Sequence, residues 1–471
     1  MERLRNNNLF FLLLIISCLG LNNCNIHPID KQPGEKEEET KPEPDLTPEE
    51  QFRKNYLTYI DEIPVMRINT GGVQVTSRED YINAIINIEG SQKYNKKDWA
   101  VEIRGRGNST WDMPKKPYRI KAVSKTSIFG RPAVKNWALI ANYSDKSLIR
   151  NYVVSMLGRS IDSLAFTPNA IFVEVYFNGT YEGLYCLQDH IEAKPSRVDV
   201  ENFKTDGKGN LIETGFLLEI DWPDRNPGCV SGRDYFTLSN GMHFFLKYPK
   251  YDDDGFENPA FYQQAFDYIK NYTSAVHNAI ISHDKITFNN LCNRDSFIDY
   301  LLVSELSKNV DGAQLSIFMN RKTGGKMNMG PLWDYDLALG NADYPTSNQA
   351  LPIGWYLVNR EGYSQLPWYK SLMTMNDFYE DFRTRYIELS DTNIKYAFNC
   401  IELIRESIRP AAHKNFGRWN ILYQYVWPNP PDIVARHTWD SQLDFVSDFW
   451  SLRNAWMYDQ LYNRKSIPGV R

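Results

Sequence analysis

Two aspartates one residue apart, Asp334 and Asp336, are the clearest candidates for chemistry in this sequence. They lie in residues 330–341, a run that is otherwise apolar and has a glycine at each side of the pair. Burying carboxylates in such a run costs free energy unless a cation or a proton compensates their charge. The run therefore predicts a metal site with these two ligands, although an isolated pair of this kind more often caps backbone amides in a turn.

A third aspartate, Asp311, stands where a helical pattern over residues 295–309 gives way to a strand pattern. Loop ends of this kind often carry catalytic side chains, because a rigid element positions them. Alone, Asp311 is also compatible with an ordinary helix-terminal turn. Together with Asp334 and Asp336 it completes the predicted catalytic centre.

A glycine-containing turn with basic flanks precedes a strand that carries Lys121. Glycines let the backbone approach an anion, and hydroxyl and amide side chains add hydrogen-bond donors. The stretch therefore predicts phosphate binding, although a tight turn followed by a solvated lysine is the commoner arrangement of these features taken singly. The candidate nucleotide-binding residues in the turn are Arg104, Gly105, Gly107, Asn108 and Ser109.

Length and composition limit the class of protein. The 471 residues, 42% hydrophobic and 14% aromatic, can bury a large core. A formal net charge of −5 gives no general attraction to nucleic acid, so no nucleic-acid partner is expected. Six cysteines without a CxxC pair argue against a zinc site and favour single thiols, while leaving a disulfide open.

The N-terminus predicts export and a lipid anchor. Residues 1–17 have a basic end, a short apolar run and a small residue before Cys18, which is the order of a signal peptide. Residues 15–18 resemble a bacterial lipobox, in which Cys18 becomes the lipidated first residue. The alternative is a buried apolar helix. Residues 18–50, acidic and proline-bearing, predict a disordered tether, so we expect an envelope lipoprotein in the outer membrane or at the cell surface.

Hydrophobic periodicity predicts a β-rich part over residues 51–192 and, over 193–471, an inserted β segment followed by a mainly helical part. A helix is predicted to end at Arg159 with Asp145 as its N-cap, and Asn178-Gly179 predicts a hairpin. The other main predictions are strands over 81–88, 99–103, 170–177, 183–188 and 315–320, and helices over 260–281, 287–292 and 295–309.

The order of these parts is that of a two-lobed protein kinase: glycine turn, lysine strand, helix, hairpin, long helix, aspartate loop, two short strands and a metal-binding aspartate. The residues also resemble a named family, the spore-coat protein H (CotH) kinase family. The resemblance spans residues from about 60 to 460 and rests on separated blocks in the same order, at 104–111, 114–116, 118–121, 148–151, 181–185 and 330–336.

This resemblance implies an α+β, atypical two-lobed protein-kinase-like fold with a β-rich N-terminal lobe and a mainly helical C-terminal lobe. It implies transfer of phosphate from ATP, with Mg²⁺ or Mn²⁺, to Ser/Thr hydroxyls of exported or surface proteins. By position, Asp311 resembles the catalytic aspartate, Asp334 the magnesium-binding aspartate and Lys121 the phosphate-contacting lysine. Asp189 falls where kinases connect their lobes and contact the nucleoside.

Two departures from the kinase pattern concern the ligands of the cation and the lysine. Ser316 stands where the kinase catalytic loop has asparagine, so Asp336 could supply the second coordination. No glutamate occurs in the helix after the lysine strand, which leaves the partner of Lys121 open, with Glu174 as one possibility.

Two other classes of function remain open from the sequence. One is a non-catalytic, surface glycan- or protein-binding lipoprotein on a kinase-like scaffold, which exposure of Trp355, Trp368, Trp419 or Trp427 would support. The other is a hydrolase that uses the paired aspartates, for which the separation of the carboxyl groups would decide the chemistry.

Replacing Cys18 by alanine tests the predicted anchor. Because the thiol of Cys18 would carry the lipid, Cys18→Ala should leave the precursor unlipidated and move the protein out of the membrane fraction. Fractionation and mass spectrometry of the mature N-terminus measure both effects. A mature chain that begins at another residue would refute the anchor.

Overall fold

The structure is a computed structural model that describes residues 46–57, 63–91, 93–164, 166–344, 350–360 and 365–470. The predicted signal peptide, Cys18 and the tether as far as residue 45 lie outside these ranges. From Leu46 onward the chain belongs to one compact unit. None of the helices in the described ranges has both the length and the apolar character needed to cross a bilayer.

Seven strands in the N-terminal part close into a barrel. They are β1 (Val65–Asn69), β2 (Ile82–Glu89), β3 (Lys96–Gly105), β4 (Tyr118–Thr126), β5 (Val134–Ile140), β6 (Ala170–Phe177) and β7 (Thr180–Asp189). Their order is β1-β2-β3-β4-β5-β7-β6, and a parallel pairing of β1 with β6 closes the ring. Apolar side chains such as Ile86, Ile120 and Trp137 fill the interior, so alternate residues of each strand face outward.

A second sheet follows the barrel in the chain. The strands outside the barrel are β8 (Phe203–Thr205), β9 (Leu211–Thr214), β10 (Phe216–Ile220), β11 (Tyr235–Thr237), β12 (His243–Tyr248), β13 (Ile317–Arg321) and β14 (Asn328–Met329). Five of them pair in the order β11-β12-β10-β13-β14, while β8 and β9 form a separate hairpin. Because Ile220 pairs with Ile317, the end of β10 lies beside the loop that carries Asp311.

Helices make up most of the C-terminal part and pack around a second apolar core. Asn258 is the N-cap of the long helix α4, and its side chain accepts hydrogen bonds from the backbone N–H groups of Ala260 and Phe261. The helices are α1 (Pro48–Tyr56), α2 (Ser109–Asp112), α3 (Arg150–Arg159), α4 (Pro259–Ile281), α5 (Lys285–Leu291), α6 (Arg294–Leu306), α7 (Trp368–Thr374), α8 (Asn376–Ser390), α9 (Asn393–Arg418), α10 (Pro431–Val434) and α11 (Trp439–Tyr462).

The predicted mixed fold, with a β-rich region followed by helices, is confirmed, and β2, β6, α4 and α6 lie close to their predicted ranges. The closed barrel was not predicted, because its closing pair joins strands about a hundred residues apart, which local periodicity cannot detect. The four cysteines in the described ranges are free thiols, as expected of scattered positions.

A buried lysine joins the barrel to α9. The ammonium of Lys115, 1% exposed, donates to the carbonyl of Leu184 at 2.5 Å and to Oδ1 of Asn415 at 2.9 Å. Burial lowers the pKa of Lys115 to about 7. Gly183, at φ +110°, lies against this contact, and a Cβ there would meet Oδ1 of Asn415 and Cε of Lys115. The close approach therefore requires glycine at position 183.

A pair of alanine substitutions separates this close approach from backbone strain. Gly179→Ala introduces a side chain at a left-handed φ with open space around it, so it should cost about 1 kcal/mol. Gly183→Ala adds a clash with the buried contact and should cost about 1–3 kcal/mol more. Denaturant unfolding measures both free energies. Equal losses would show that the Lys115 contact relaxes freely.

Candidate functional site

A cavity of about 440 Å³ lies where the barrel, the second sheet and the aspartate loops meet. Carboxylates and guanidinium groups both line it, so its electrostatic field changes sign across a short distance. The charged side chains that line it are Arg78, Glu79, Arg104, Arg106, Lys115, Arg119, Glu219, Asp221, Arg225, Lys247, Asp311, Asp334 and Asp336.

The loop that carries Asp334 and Asp336 is held from both ends by side chains of neighbouring elements. At its start, the Asn320 amide donates to the carbonyl of Gly330 at 2.9 Å. In its middle, the backbone N–H of Tyr335 donates to Oδ1 of Asn151 at 2.7 Å. These hydrogen bonds to α3 and β13 fix the backbone between the two aspartates.

Arg150 holds the far end of the same loop. Its guanidinium is fully buried and donates to the carbonyls of Ala338 at 3.0 Å and Leu339 at 3.3 Å. It also forms a 2.5 Å ion pair with Asp145. The prediction that Asp145 is the N-cap of α3 is wrong: the cap position is Ile149, and Asp145 accepts the backbone N–H of Arg150 at 2.9 Å. The block at 148–151 therefore positions the aspartate loop.

The three predicted aspartates line the cavity and repel one another. Burial, and then the charge of Asp334, raise the pKa of Asp311 to about 6. The same two causes raise the pKa of Asp336 well above its usual range. Asp334 itself is exposed to the cavity, at a left-handed φ of +69°, and accepts a hydrogen bond from Oγ of Ser316 at 3.3 Å. The positive charge of Arg225 opposes the rise in the pKa of Asp311 but does not cancel it.

The donor set of this cluster fits a hard divalent cation that is completed by other oxygen ligands. Within the described ranges, no three His, Cys, Asp or Glu side chains converge on one point. Mg²⁺ is commonly held by one or two carboxylates together with water and phosphate oxygens, and the pair Asp334 and Asp336 matches that demand.

Two arginines on the barrel side of the cavity have no carboxylate partner among the described residues. The Arg106 guanidinium lies 5.4 Å from the ring centroid of Trp333, and its side chain donates no hydrogen bond to another described residue. Burial lowers the pKa of Arg106, while Asp334 and Asp336 oppose that shift from across the cavity. Guanidinium groups removed from water without a counter-charge provide an anion site.

Arg119 is held in place by neutral partners. One of its nitrogens contacts Nε2 of His190, another donates to Oδ1 of Asn136 at 3.0 Å, and its buried Nε has no partner. Burial, and then the charge of Arg119, lower the pKa of His190 well below its usual range, so the imidazole is neutral and accepts from Arg119. The full charge of Arg119 therefore remains available to a ligand.

The residues of the predicted phosphate-binding turn divide into two groups. Arg104, Gly107, Asn108 and Ser109 line the cavity. Gly105 does not, because the ring of Trp111 occupies the space beside it, as close as 2.5 Å from where a Cβ would be. The absence of a side chain at position 105 therefore serves packing inside the barrel rather than access to a ligand.

Lys121 and Asp189 lie outside the cavity. Lys121 points outward from β4 and pairs with Glu102 at 2.9 Å, while Glu174 pairs with Lys414. Asp189 is buried between Arg131, at 3.0 Å, and Arg197, at 3.1 Å. Gln188, in β7, and His190, directly after it, line the cavity instead, because successive side chains along an extended chain point to opposite faces.

The cavity therefore contains residues that the sequence reading did not select: Arg106, Arg119 and Arg225 as cations, and Asp221 beside the Asp311 loop. Arg119 precedes Lys121 by two residues on the same face of β4, about 6.6 Å along the strand. Arg119 could have been identified if it had been known which end of β4 faces the aspartates. Arg225 and Asp221 carried no signal, since they come from the inserted sheet.

Comparison with family models places this geometry in a known group. The model described as CotH kinase protein matches residues 103–457, which include the end of β3, the later barrel strands and all three aspartates. The chain belongs to the CotH kinase family. No curated protein matches the sequence of this CotH-family chain. The resemblance inferred from the separated sequence blocks is thereby confirmed.

Two glutamine substitutions test which cation binds anions in this CotH-family chain. Arg106→Gln removes an uncompensated charge from the cavity, so inorganic triphosphate with Mg²⁺ should bind about tenfold to a hundredfold more weakly. Lys121→Gln is the matched control, because that ammonium already pairs with Glu102 outside the cavity. Titration calorimetry measures both affinities. A loss with Lys121→Gln and none with Arg106→Gln would reverse the assignment.

Proposed function

We propose that this chain is an atypical protein kinase that transfers the γ-phosphate of ATP to Ser/Thr hydroxyls of exported or surface proteins in a metal-dependent reaction. One observation carries the proposal: a single cavity is lined by Arg106 and Arg119, which have no carboxylate partner among the described residues, and by Asp334 and Asp336, which form no ion pair with a described lysine or arginine. A metal-bound polyphosphate neutralises both sides at once. Membership of the CotH kinase family supports the same reaction class.

In this proposal the phosphates of ATP bind between the barrel and the aspartate loop. Arg106 and Arg119 take the part that sequence reading assigned to Lys121, because their charges reach the cavity and that of Lys121 does not. Asn108 and Ser109 add polar side chains from the turn. A guanidinium can donate two parallel hydrogen bonds to a phosphate, which orients the group as well as attracting it.

Asp334 and Asp336 are the proposed ligands of Mg²⁺ or Mn²⁺. When bound with ATP, such a cation would neutralise charge on the phosphate oxygens. Ser316, which donates to Asp334, orients the carboxylate rather than replacing the kinase asparagine as a ligand. The hydrogen bonds that Asn151 accepts from Tyr335 and that Arg150 donates to Ala338 hold the loop, so that little reorganisation is needed when the charges of the ligand arrive.

Asp311 is the proposed acceptor of the proton from the substrate hydroxyl. As the hydroxyl oxygen forms its bond to the γ-phosphorus, the bond from that phosphorus to the β–γ bridging oxygen breaks, ADP leaves, and the hydroxyl proton passes to the Asp311 carboxylate. A pKa of about 6, raised by burial and by Asp334, suits a base that works near neutral pH.

We take the barrel as the counterpart of the kinase N-terminal lobe and the helical part as that of the C-terminal lobe, with the cavity between them. A lipid on Cys18 and the tether that follows would keep this kinase in the bacterial envelope, where exported proteins provide its hydroxyl acceptors.

Asparagine substitutions at two aspartates test the proposed division of roles. Asp334→Asn weakens a ligand of a hard cation, so Mg²⁺-dependent ATP affinity should fall about tenfold or more, together with transfer. Asp311→Asn removes the proton acceptor without touching the cation, so transfer should fall about a hundredfold to ten-thousandfold while Mg-ATP affinity stays within a few fold. Calorimetric binding and radiolabel transfer to a generic protein acceptor measure the two quantities.

Chelation of divalent cations is the control, since it should abolish both quantities in the wild type. The kinase proposal fails if the wild type shows neither ATP binding nor transfer. The division of roles fails if both substitutions weaken Mg-ATP binding equally.

A further inference from the structure

Exposed aromatic side chains are concentrated in one short stretch. Among the tryptophans, tyrosines and phenylalanines that the structure describes, four are exposed, and three of them lie within residues 423–427. Their exposed fractions are 52% for Tyr423, 63% for Tyr425 and 47% for Trp427, and the fourth residue is Tyr462 at 56%. We call Tyr423, Tyr425 and Trp427 the aromatic strip. Exposed apolar side chains that cluster mark interaction sites, whereas side chains exposed singly are common on any protein surface.

The backbone beneath the aromatic strip is firmly held. The buried ammonium of Lys146 donates to the carbonyls of Leu422 at 3.3 Å and Gln424 at 2.5 Å, and its pKa is lowered by burial to about 8. Farther on, the amide of Asn429 donates to the carbonyl of Ser144 at 2.8 Å. The rings are therefore presented in a preorganised arrangement, which reduces the entropy lost when a partner binds.

The aromatic strip is continuous with the cavity. Trp427 and the adjoining Pro428 line the cavity, and the ring of Trp427 lies 6.1 Å from that of Tyr344, another lining residue. The backbone N–H of Asp343, a few residues after Asp336, donates to the carbonyl of Pro428 at 3.1 Å. A partner that lies along the strip therefore reaches the aspartate centre at one end.

The stretch around the strip carries no charge. Residues 419–431 contain only aromatic, aliphatic, amide and proline side chains. Enrichment in tyrosine and tryptophan together with depletion of charged residues is the composition of the core of a protein-binding surface. An uncharged surface does not select a strongly acidic or basic segment, because a charged group would lose hydration there without gaining a partner.

We propose that the aromatic strip docks an uncharged, apolar segment of the acceptor protein and so directs the neighbouring hydroxyl into the cavity. This inference rests on the proposed kinase function and adds the substrate class and the surface that selects it. Its continuity with the cavity favours the acceptor over a separate ligand. Of the four tryptophans whose exposure would support a glycan- or protein-binding scaffold, Trp355 and Trp368 are buried, Trp419 is half-buried and Trp427 is exposed.

The test uses two synthetic peptides of equal length, each with one serine, flanked either by valine and leucine or by alternating glutamate and lysine. The variant is Tyr423→Ala with Tyr425→Ala, because neither ring lines the cavity. Its controls are Tyr462→Ala, an equally exposed ring that does not line the cavity, and Tyr425→Phe, which keeps the ring. Fluorescence anisotropy with alanine in place of the serine measures binding without transfer, and phosphorylation of the serine forms gives KM and kcat.

The wild type should bind the apolar-flanked peptide about tenfold more tightly than the charged one, and the double variant should lose that preference through KM with kcat unchanged. Both controls should keep it. Transfer to both peptides with equal KM would overturn the docking proposal, while the proposed kinase function would still hold. Strip-dependent peptide binding without any transfer would support the surface and overturn the kinase. Strip-dependent retardation in gels of the neutral polysaccharide amylose, without peptide preference, would overturn the acceptor assignment in favour of a glycan.

Discussion

The site depends on an ion pair from which water is fully excluded, between Arg150 and Asp145. Removing two charges from water costs several kcal/mol for each ion, and the attraction between them offsets this only when further hydrogen bonds complete the geometry. Here Asp145 also accepts the backbone N–H groups of Ser147 and Arg150, and Arg150 donates to the carbonyls of Ala338 and Leu339. The pair therefore fixes the backbone just after Asp336.

A second buried pair does the same for the other side of the centre. Glu305 and Arg453, both fully buried, lie 2.7 Å apart. The Glu305 carboxylate accepts the backbone N–H groups of Tyr356 and Leu357, while Arg453 donates to the carbonyl of Gly354. The segment after the aspartate loop is thus tied to α6, directly before the Asp311 loop, and to α11.

These two pairs explain how the cavity can hold charges that have no ion-pair partner among the described residues. Repulsion among Asp311, Asp334 and Asp336 favours movement of the loops apart, and the buried pairs oppose that movement. The result is a site whose dipoles and charges are oriented before a ligand arrives, at a cost in stability that is typical of functional sites. The raised pKa values of Asp311 and Asp336 are the measurable sign of that cost.

Much of the fold and part of the site could be predicted from the sequence, because these features depend on local patterns. The strands, the long helices and the three aspartates follow from periodicity and from charge in apolar runs, and the separated blocks identified the family. The direction in which each side chain points was harder to predict. Asp189 differs from its neighbours Gln188 and His190 only by the alternation of side-chain direction at the end of β7. The choice between Arg119 and Lys121 depends on which end of β4 faces the helical part.

Other features depend on contacts between distant parts of the chain. The closure of the barrel by β1 and β6, the placement of Asp221 and Arg225 by the inserted sheet, and the support of the aspartate loop by Arg150 all join residues far apart in sequence. A single sequence holds no record of such contacts, since each residue type there is also common in unrelated surroundings. The exposure of the aromatic strip is likewise a property of the tertiary structure.

The most direct test of the central claim is a crystal structure of the protein with Mn²⁺ and a non-hydrolysable ATP analogue, with the cation located by its anomalous scattering. The account predicts Mn²⁺ bound by Asp334 and Asp336, and phosphate oxygens within hydrogen-bonding distance of Arg106 and Arg119. Phosphates at Lys121, or a cation that touches neither aspartate while the analogue is bound, would contradict it.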